Sequence, residues 1–155
     1  MQTVETTTVS PNSTNAFPLV AGLNESANII FQNNKEKGFW DKERNIGELL
    51  MLITSELGEA MEAHRKGKVG RMKSFESDMG YARLSLEDFT PENQNYLWIA
   101  NRFETTVKDT FEDEIADAVI RLLNLSAGLG IDLEKHINAK VQYNKSRERL
   151  HGKSY

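Results

Sequence analysis

The chain has 155 residues and a formal net charge of −4, with 39% hydrophobic and 27% charged residues, a composition suited to one globular domain with its own core. Its longest apolar run is five residues, at 49–53, far short of the ~20 needed to cross a bilayer, and no signal-peptide pattern opens it, so a cytoplasmic protein with no membrane partner is expected. The lack of cysteine excludes disulfides, thiolate metal sites and a Cys nucleophile, which leaves oxygen and imidazole ligands and favours hard cations such as Mg²⁺ or Mn²⁺.

Charge is unevenly spread. Residues 135–155 hold six Lys/Arg against one Glu, so everything before them sums to −9. An acidic body with a basic C-terminal segment suits a small polyanion bound through a cation, whereas a nucleic-acid polymer calls for a wholly basic face.

Residues 1–16 are rich in Thr, Ser and Asn and are expected to form a mobile leader to a single all-α domain over 17–155. A first helix is expected over 24–37, with Asn24 as N-cap, Ile29, Ile30 and Phe31 in the core and Gly38 as its stop. A second, over 42–66, aligns Ile46, Leu49, Leu50, Ile53, Leu57, Ala60, Met61 and His64 within about 60° of one direction, and Gly67 ends it. Residues 68–108 read as an inserted helical subregion, with a Thr90-Pro91-Glu92 start for a short helix holding Leu97, Trp98 and Ile99. The next helix, capped by Asp109 with Glu112 three residues on, aligns Ile115, Ala118, Val119, Leu122, Ser126 and Leu129. Gly128 and Gly130 break it, and Asp132 caps a last helix through Leu133, Ile137, Val141 and Tyr143 towards Leu150. Short connections make a bundle of antiparallel hairpins the expected architecture.

Two acidic pairs, Glu56/Glu59 and Glu114/Asp117, sit three residues apart on the second and fourth of these helices. Spacing alone is a poor guide, since 23 acids in 155 residues give roughly three or four such pairs by chance, and this chain has four, with Glu59/Glu62 and Asp109/Glu112. Position is more telling. Glu56 and Glu59 lie about 80° and 140° from their helix's apolar centre, and Glu114 and Asp117 about 100° and 160° from theirs, on the matching flank. Four carboxylates brought within about 4–6 Å repel by about 3–4 kcal/mol per pair at an effective dielectric of 20, so the cluster requires compensating charge, which a divalent ion supplies. The competing reading is two solvated acidic faces.

The segments SELGEAMEAHRKGK, EDEIADAVIRLLNLSAGLGIDLEK and KVQYNKSRERLHGK, in that order and over roughly half the chain, resemble the MazG-like branch of the all-α nucleoside triphosphate pyrophosphohydrolases. The resemblance implies Mg²⁺ ligands at Glu56, Glu59, Glu114 and Asp117, with Mn²⁺ as a substitute. It implies a phosphate-gripping tail at Lys140, Tyr143, Asn144, Arg147 and Lys153, and hydrolysis of a nucleoside triphosphate between its α and β phosphates to a monophosphate and pyrophosphate. It also implies a homodimer or homotetramer whose tail completes a neighbour's site. Exposure of Leu52 on the acidic flank of a monomer agrees with self-association.

The chain departs from the family pattern at Ser55, where many members carry another Glu, at Asn124, where related sequences often have Asp, and in the 54 residues between Glu59 and Glu114. Glu62 is a candidate for a second ion or a solvated helix acid. Phe39, Trp40 and Trp98 are candidate base-stacking platforms, with Trp40 foremost, or residues of core or interface packing, and Asn28, Gln32 and Asn45 are candidate readers of base edges. His64 suits hydrogen-bonded packing, while His151 is a phosphate-contact candidate or a solvated terminus. Two other functions fit the same residues: a non-catalytic helical protein binding a nucleotide or partner helix, and a metal-dependent hydrolase of another phosphate ester or anhydride.

Overall fold

The computed structural model describes residues 22–147, and among them every regular element is helical. The elements are α1 (Leu23–Glu36), α2 (Ile46–Arg65), α3 (Met72–Tyr81), a 3₁₀ turn at Leu86–Asp88, α4 (Tyr96–Thr106), α5 (Phe111–Gly128) and α6 (Leu133–Lys145). The expected leader, His151 and Lys153 lie outside the described residues.

Helix α5 is the centre of the arrangement, because both α1 and α2 pack on it. The α2–α5 pairing runs in opposite directions. His64, near the end of α2, meets Phe111 at the start of α5 edge-on at 5.4 Å, Glu56 meets Arg121 further along, and Leu49 shares a pocket with Asn124. Helices α3 and α4 form a satellite with their own core of Phe75, Met79, Ile99 and Val107. There Arg102 pairs with Asp78, and the Ser85/Asp88 capping box starts the 3₁₀ turn.

The helix ends differ from the sequence expectation for reasons of local chemistry. Gly22, at φ 77°, caps α1, which frees Asn24. Its backbone N–H donates to Glu134 (2.9 Å), its side-chain NH₂ donates to Asp132 (2.8 Å), and its side-chain Oδ1 accepts from the Glu134 N–H, tying α1 to the start of α6. Thr110, not Asp109, caps α5. Asp109 is left-handed at φ 56° and donates its N–H to Asp113, while Glu112 accepts from the Gly70 N–H at 2.7 Å. That bond holds the carboxyl of Glu112 below its ordinary range. Helix α4, the short helix expected from Thr90-Pro91-Glu92, starts at Tyr96, five residues after Pro91.

The buried faces of the helices depart furthest from their apolar stripes. On α2 the buried residues are Ile53, Glu56, Ala60 and Ala63, a direction rotated about 60° from the apolar centre towards the acids. Ile46, Leu50, Leu57 and Met61, expected in the core, are exposed, Met61 at 67%. On α5 only Ala118 and Ser126 of the expected stripe are buried, while Ile115, Val119, Leu122 and Leu129 are exposed. In α1, Ala27 is the buried residue, Ile29 is exposed, and Ile30 and Phe31 are half-buried. Because α2 and α5 are antiparallel, their two exposed stripes stand on the same side of the contact line and make one continuous apolar face. His64 belongs to this face and is exposed; it packs by an edge-on ring contact with Phe111 where hydrogen-bonded packing was expected.

Candidate metal centre

Rotation of the buried face towards the acids brings carboxylates from two helices together. Glu56, Glu114 and Asp117 each offer an oxygen, and these lie within 4.8 Å of one another. Glu56 and Glu114 are each only 6% exposed, whereas Asp117 is exposed. The fourth expected ligand, Glu59, stands outside this trio, exposed one turn after Glu56, where its charge still acts on Glu114 and Asp117.

The members of the trio are compensated unequally. Glu56 accepts from the Arg121 guanidinium at 2.7 Å. Among the described residues, no donor or cation reaches the side chain of Glu114; its charged neighbours are Glu59, Glu56, Asp113 and Asp117, all acidic. Burial, reinforced by those like charges, raises its carboxyl above the ordinary range. Asp117 is raised for the same leading reason, burial, then by Asp113 and Glu56, with Arg121 opposing. A carboxylate at the floor of a hollow whose charged neighbours are all carboxylates is stabilised by protonation or by a cation. Three hard oxygen donors in one small volume fit Mg²⁺ or Mn²⁺.

Two hollows flank the trio. One, of about 340 Å³, runs from Asp117 and Arg121 to Trp40, Asn34 and Asn124, with Leu52 in its wall. Its shape depends on the 37–45 loop. Gly38 turns the chain at φ 81°, Arg44 donates to the Phe39 carbonyl at 2.9 Å, and the Trp40 indole N–H donates to Asn124 Oδ1 at 3.1 Å. Trp40 also meets Phe31 edge-on at 5.2 Å and lies against Gly128, where a β-carbon would come within 2.3 Å of the ring. With Asn124 Oδ1 committed to Trp40, its amide NH₂ is the group left to donate into the pocket. The second hollow, about 220 Å³, is lined by Glu59, Glu62, Glu114, Lys66 and Lys68.

The remaining expected site residues are scattered. Phe39 lines the larger hollow and Trp98 sits on the α3–α4 satellite. Asn45 is occupied in capping α2, accepting from the Glu48 N–H at 3.2 Å. Asn28 lines a separate hollow beside Asp132, and Gln32 is exposed. Ser55 donates to the Leu52 carbonyl. Glu62 pairs with Arg65 and Lys66 on its own helix. Lys140, Tyr143, Asn144 and Arg147 are on α6 or just past it, and the described linings of the two hollows include none of them. Lys140 and Arg147 instead bracket the Tyr143 ring at 4.9 and 5.8 Å.

Arg121, Lys66 and Lys68 did not stand out in the sequence, although Arg121 falls one turn past Asp117 on the acidic flank of α5, and extending that helical wheel by four residues reaches it. No helix among the described residues is long and apolar enough to cross a membrane. No protein-family model, curated protein or solved structure matches the chain.

Proposed function

We propose that the chain is a divalent-cation-dependent nucleoside triphosphate pyrophosphohydrolase with a MazG-like bundle of antiparallel helical hairpins. The observation that carries this reading is Glu114: 6% exposed, with only carboxylates as charged neighbours, and lining the smaller of the two hollows that the trio borders. Glu56, Glu114 and Asp117 would hold Mg²⁺ or Mn²⁺, with Glu59 joining from the rim. A bound divalent ion would neutralise phosphoryl oxygens and lower the pKa of a water molecule.

The chain's own residues then divide the work. Trp40 offers an aromatic wall for the base, and the Asn124 amide, fixed by the Trp40 indole, presents a donor to a base acceptor. Asp117 and Arg121 stand at the end of that pocket nearest the trio, where the α phosphate belongs. Lys66 and Lys68, across the trio, suit the departing pyrophosphate. Water attacks the α phosphorus, its bond to the bridging oxygen breaks, pyrophosphate leaves with that oxygen, and the protons of the attacking water pass to solvent.

This reading includes self-association. The apolar face of Ile46, Leu50, Leu57 and Met61 with Ile115, Val119, Leu122 and Leu129 is larger than the scattered apolar residues of an ordinary monomer surface, and a helical layer requires a second layer against its apolar side. A second copy, as a homodimer or within a homotetramer, supplies it, and Lys140, Tyr143, Asn144 and Arg147 act on the phosphates of the partner's site.

The test is product analysis with Mg²⁺ against canonical and modified NTPs and dNTPs. Monophosphate plus pyrophosphate from the wild type, and none from Glu114→Gln, is the expected result. Diphosphate plus phosphate would assign another reaction, and no turnover on any nucleotide with either metal would leave a binding protein.

A further inference from the structure

We propose that Arg121 is a displaceable counter-ion: its guanidinium occupies Glu56 until a divalent cation enters the carboxylate trio, and it then turns to the anion in the adjoining pocket. The inference rests on the reading of Glu56, Glu114 and Asp117 as cation ligands.

Three features support it. First, Arg121 Nη2 is 2.7 Å from Glu56 Oε1, so one of the three carboxylates already has a cation partner. A divalent ion drawn to Glu114 and Asp117 meets that positive charge at close range, and the two compete for Glu56. Second, the cost of moving differs between the partners. Glu56 is buried in the helix contact at 7% side-chain exposure, while the Arg121 side chain is 42% exposed on a flexible stem, so the guanidinium is the partner that yields. Third, it has somewhere to go. Arg121 lines the 340 Å³ pocket beside Asp117, and the other arginine there, Arg44, is already tied to the Phe39 carbonyl. A freed guanidinium presents a planar fork of donors to phosphate oxygens. Cation and phosphate thereby reinforce each other, and the coupling is reciprocal in binding.

Calorimetric titration of the full chain with Mn²⁺ alone, without nucleotide, tests the competition. Arg121→Gln should bind Mn²⁺ about 10-fold more tightly than the wild type, as expected on removing a competing charged hydrogen bond. Arg121→Lys, which keeps the cation, should stay within about threefold of the wild type. With Mn²⁺ saturating, inorganic pyrophosphate should raise the melting temperature of the wild type and raise that of Arg121→Gln less. Wild-type Mn²⁺ binding that Arg121→Gln leaves unchanged, or an equal gain in the Lys variant, overturns the counter-ion role while keeping the metal site. An equal pyrophosphate shift in wild type and Arg121→Gln overturns the turn towards the anion. No Mn²⁺ binding by wild type or by either variant overturns the metal reading itself.

Discussion

Glu56 and Glu114 face each other across the α2–α5 contact, each 6% exposed, and only Glu56 has a cationic partner. This asymmetry makes Glu114 a costly residue in the absence of metal. Glu114→Gln is therefore expected to abolish turnover and divalent-dependent thermal stabilisation while raising the melting temperature of the metal-free protein. Asp117→Asn should act in the same direction, less strongly, because Asp117 is more open. Thermal melts in chelator and in saturating Mg²⁺ check both, and a fall in metal-free stability on either substitution contradicts the site.

The same charges set a pH dependence of unusual sign. Folding raises the carboxyls of Glu114 and Asp117 above their ordinary values of 4.5 and 3.8, so in the interval above those values the folded chain holds more protons than the unfolded one. Stability contributed by these groups is greatest at the acidic end and falls as pH rises through the interval. Asp88, Glu112 and Asp132 are lowered instead, so their contribution is lost only as pH falls below the ordinary carboxylate range. The melting-temperature difference between metal-free wild type and Glu114→Gln/Asp117→Asn should widen, in favour of the variant, from about pH 4.5 to pH 7.5 and nearly vanish with saturating Mg²⁺.

The pocket wall depends on a glycine for room. At Gly128 a β-carbon would stand 2.3 Å from the Trp40 ring, whereas at Gly58 nothing lies within 4 Å. Gly128→Ala is expected to destabilise by about 1–3 kcal/mol through overpacking, to shift Trp40 fluorescence and to raise KM by breaking the Trp40–Asn124 hydrogen bond. Gly58→Ala, mid-helix and unobstructed, should stabilise by up to about 1 kcal/mol. Chemical denaturation and nucleotide kinetics on the pair separate space from helix propensity.

The apolar face yields a prediction about assembly. Leu57→Glu with Val119→Glu places charge on α2 and α5 in positions exposed in the single chain, where surface substitutions ordinarily change stability by no more than about 0.5 kcal/mol. If a second copy covers that face, the variant sediments as a monomer with a much lower melting temperature, while the wild type sediments as a dimer or tetramer. Analytical ultracentrifugation decides between these outcomes, and unchanged sedimentation removes the face from the assembly.

What the amino-acid order determined by itself was local. Helical periodicity, Gly38 and Gly67 as stops, Asp132 as the last cap and the matched acidic flanks at Glu56 and Glu114 all follow from backbone geometry within a few turns, and the structure keeps them. The caps at α1 and α5 escaped because Gly22 and Thr110 won positions that Asn24 and Asp109 suit equally well in isolation, once contacts with α6 and Gly70 were available. Tertiary structure alone decided which side of each helix is inside. A helical wheel locates an apolar stripe but does not say whether the chain's own core or an outer surface receives it, and the α2–α5 contact chose small residues and acids, Ala60, Ala63, Ala118, Glu56 and Glu114, over Leu50, Leu57 and Val119. Close approach of two helices through alanines leaves room for carboxylates to meet across the contact. That approach assembles the Glu56–Arg121 pair, and the packing of α1 and its following loop on α5 assembles the Trp40–Asn124 pair, whose members are separated in sequence by 65 and 84 residues.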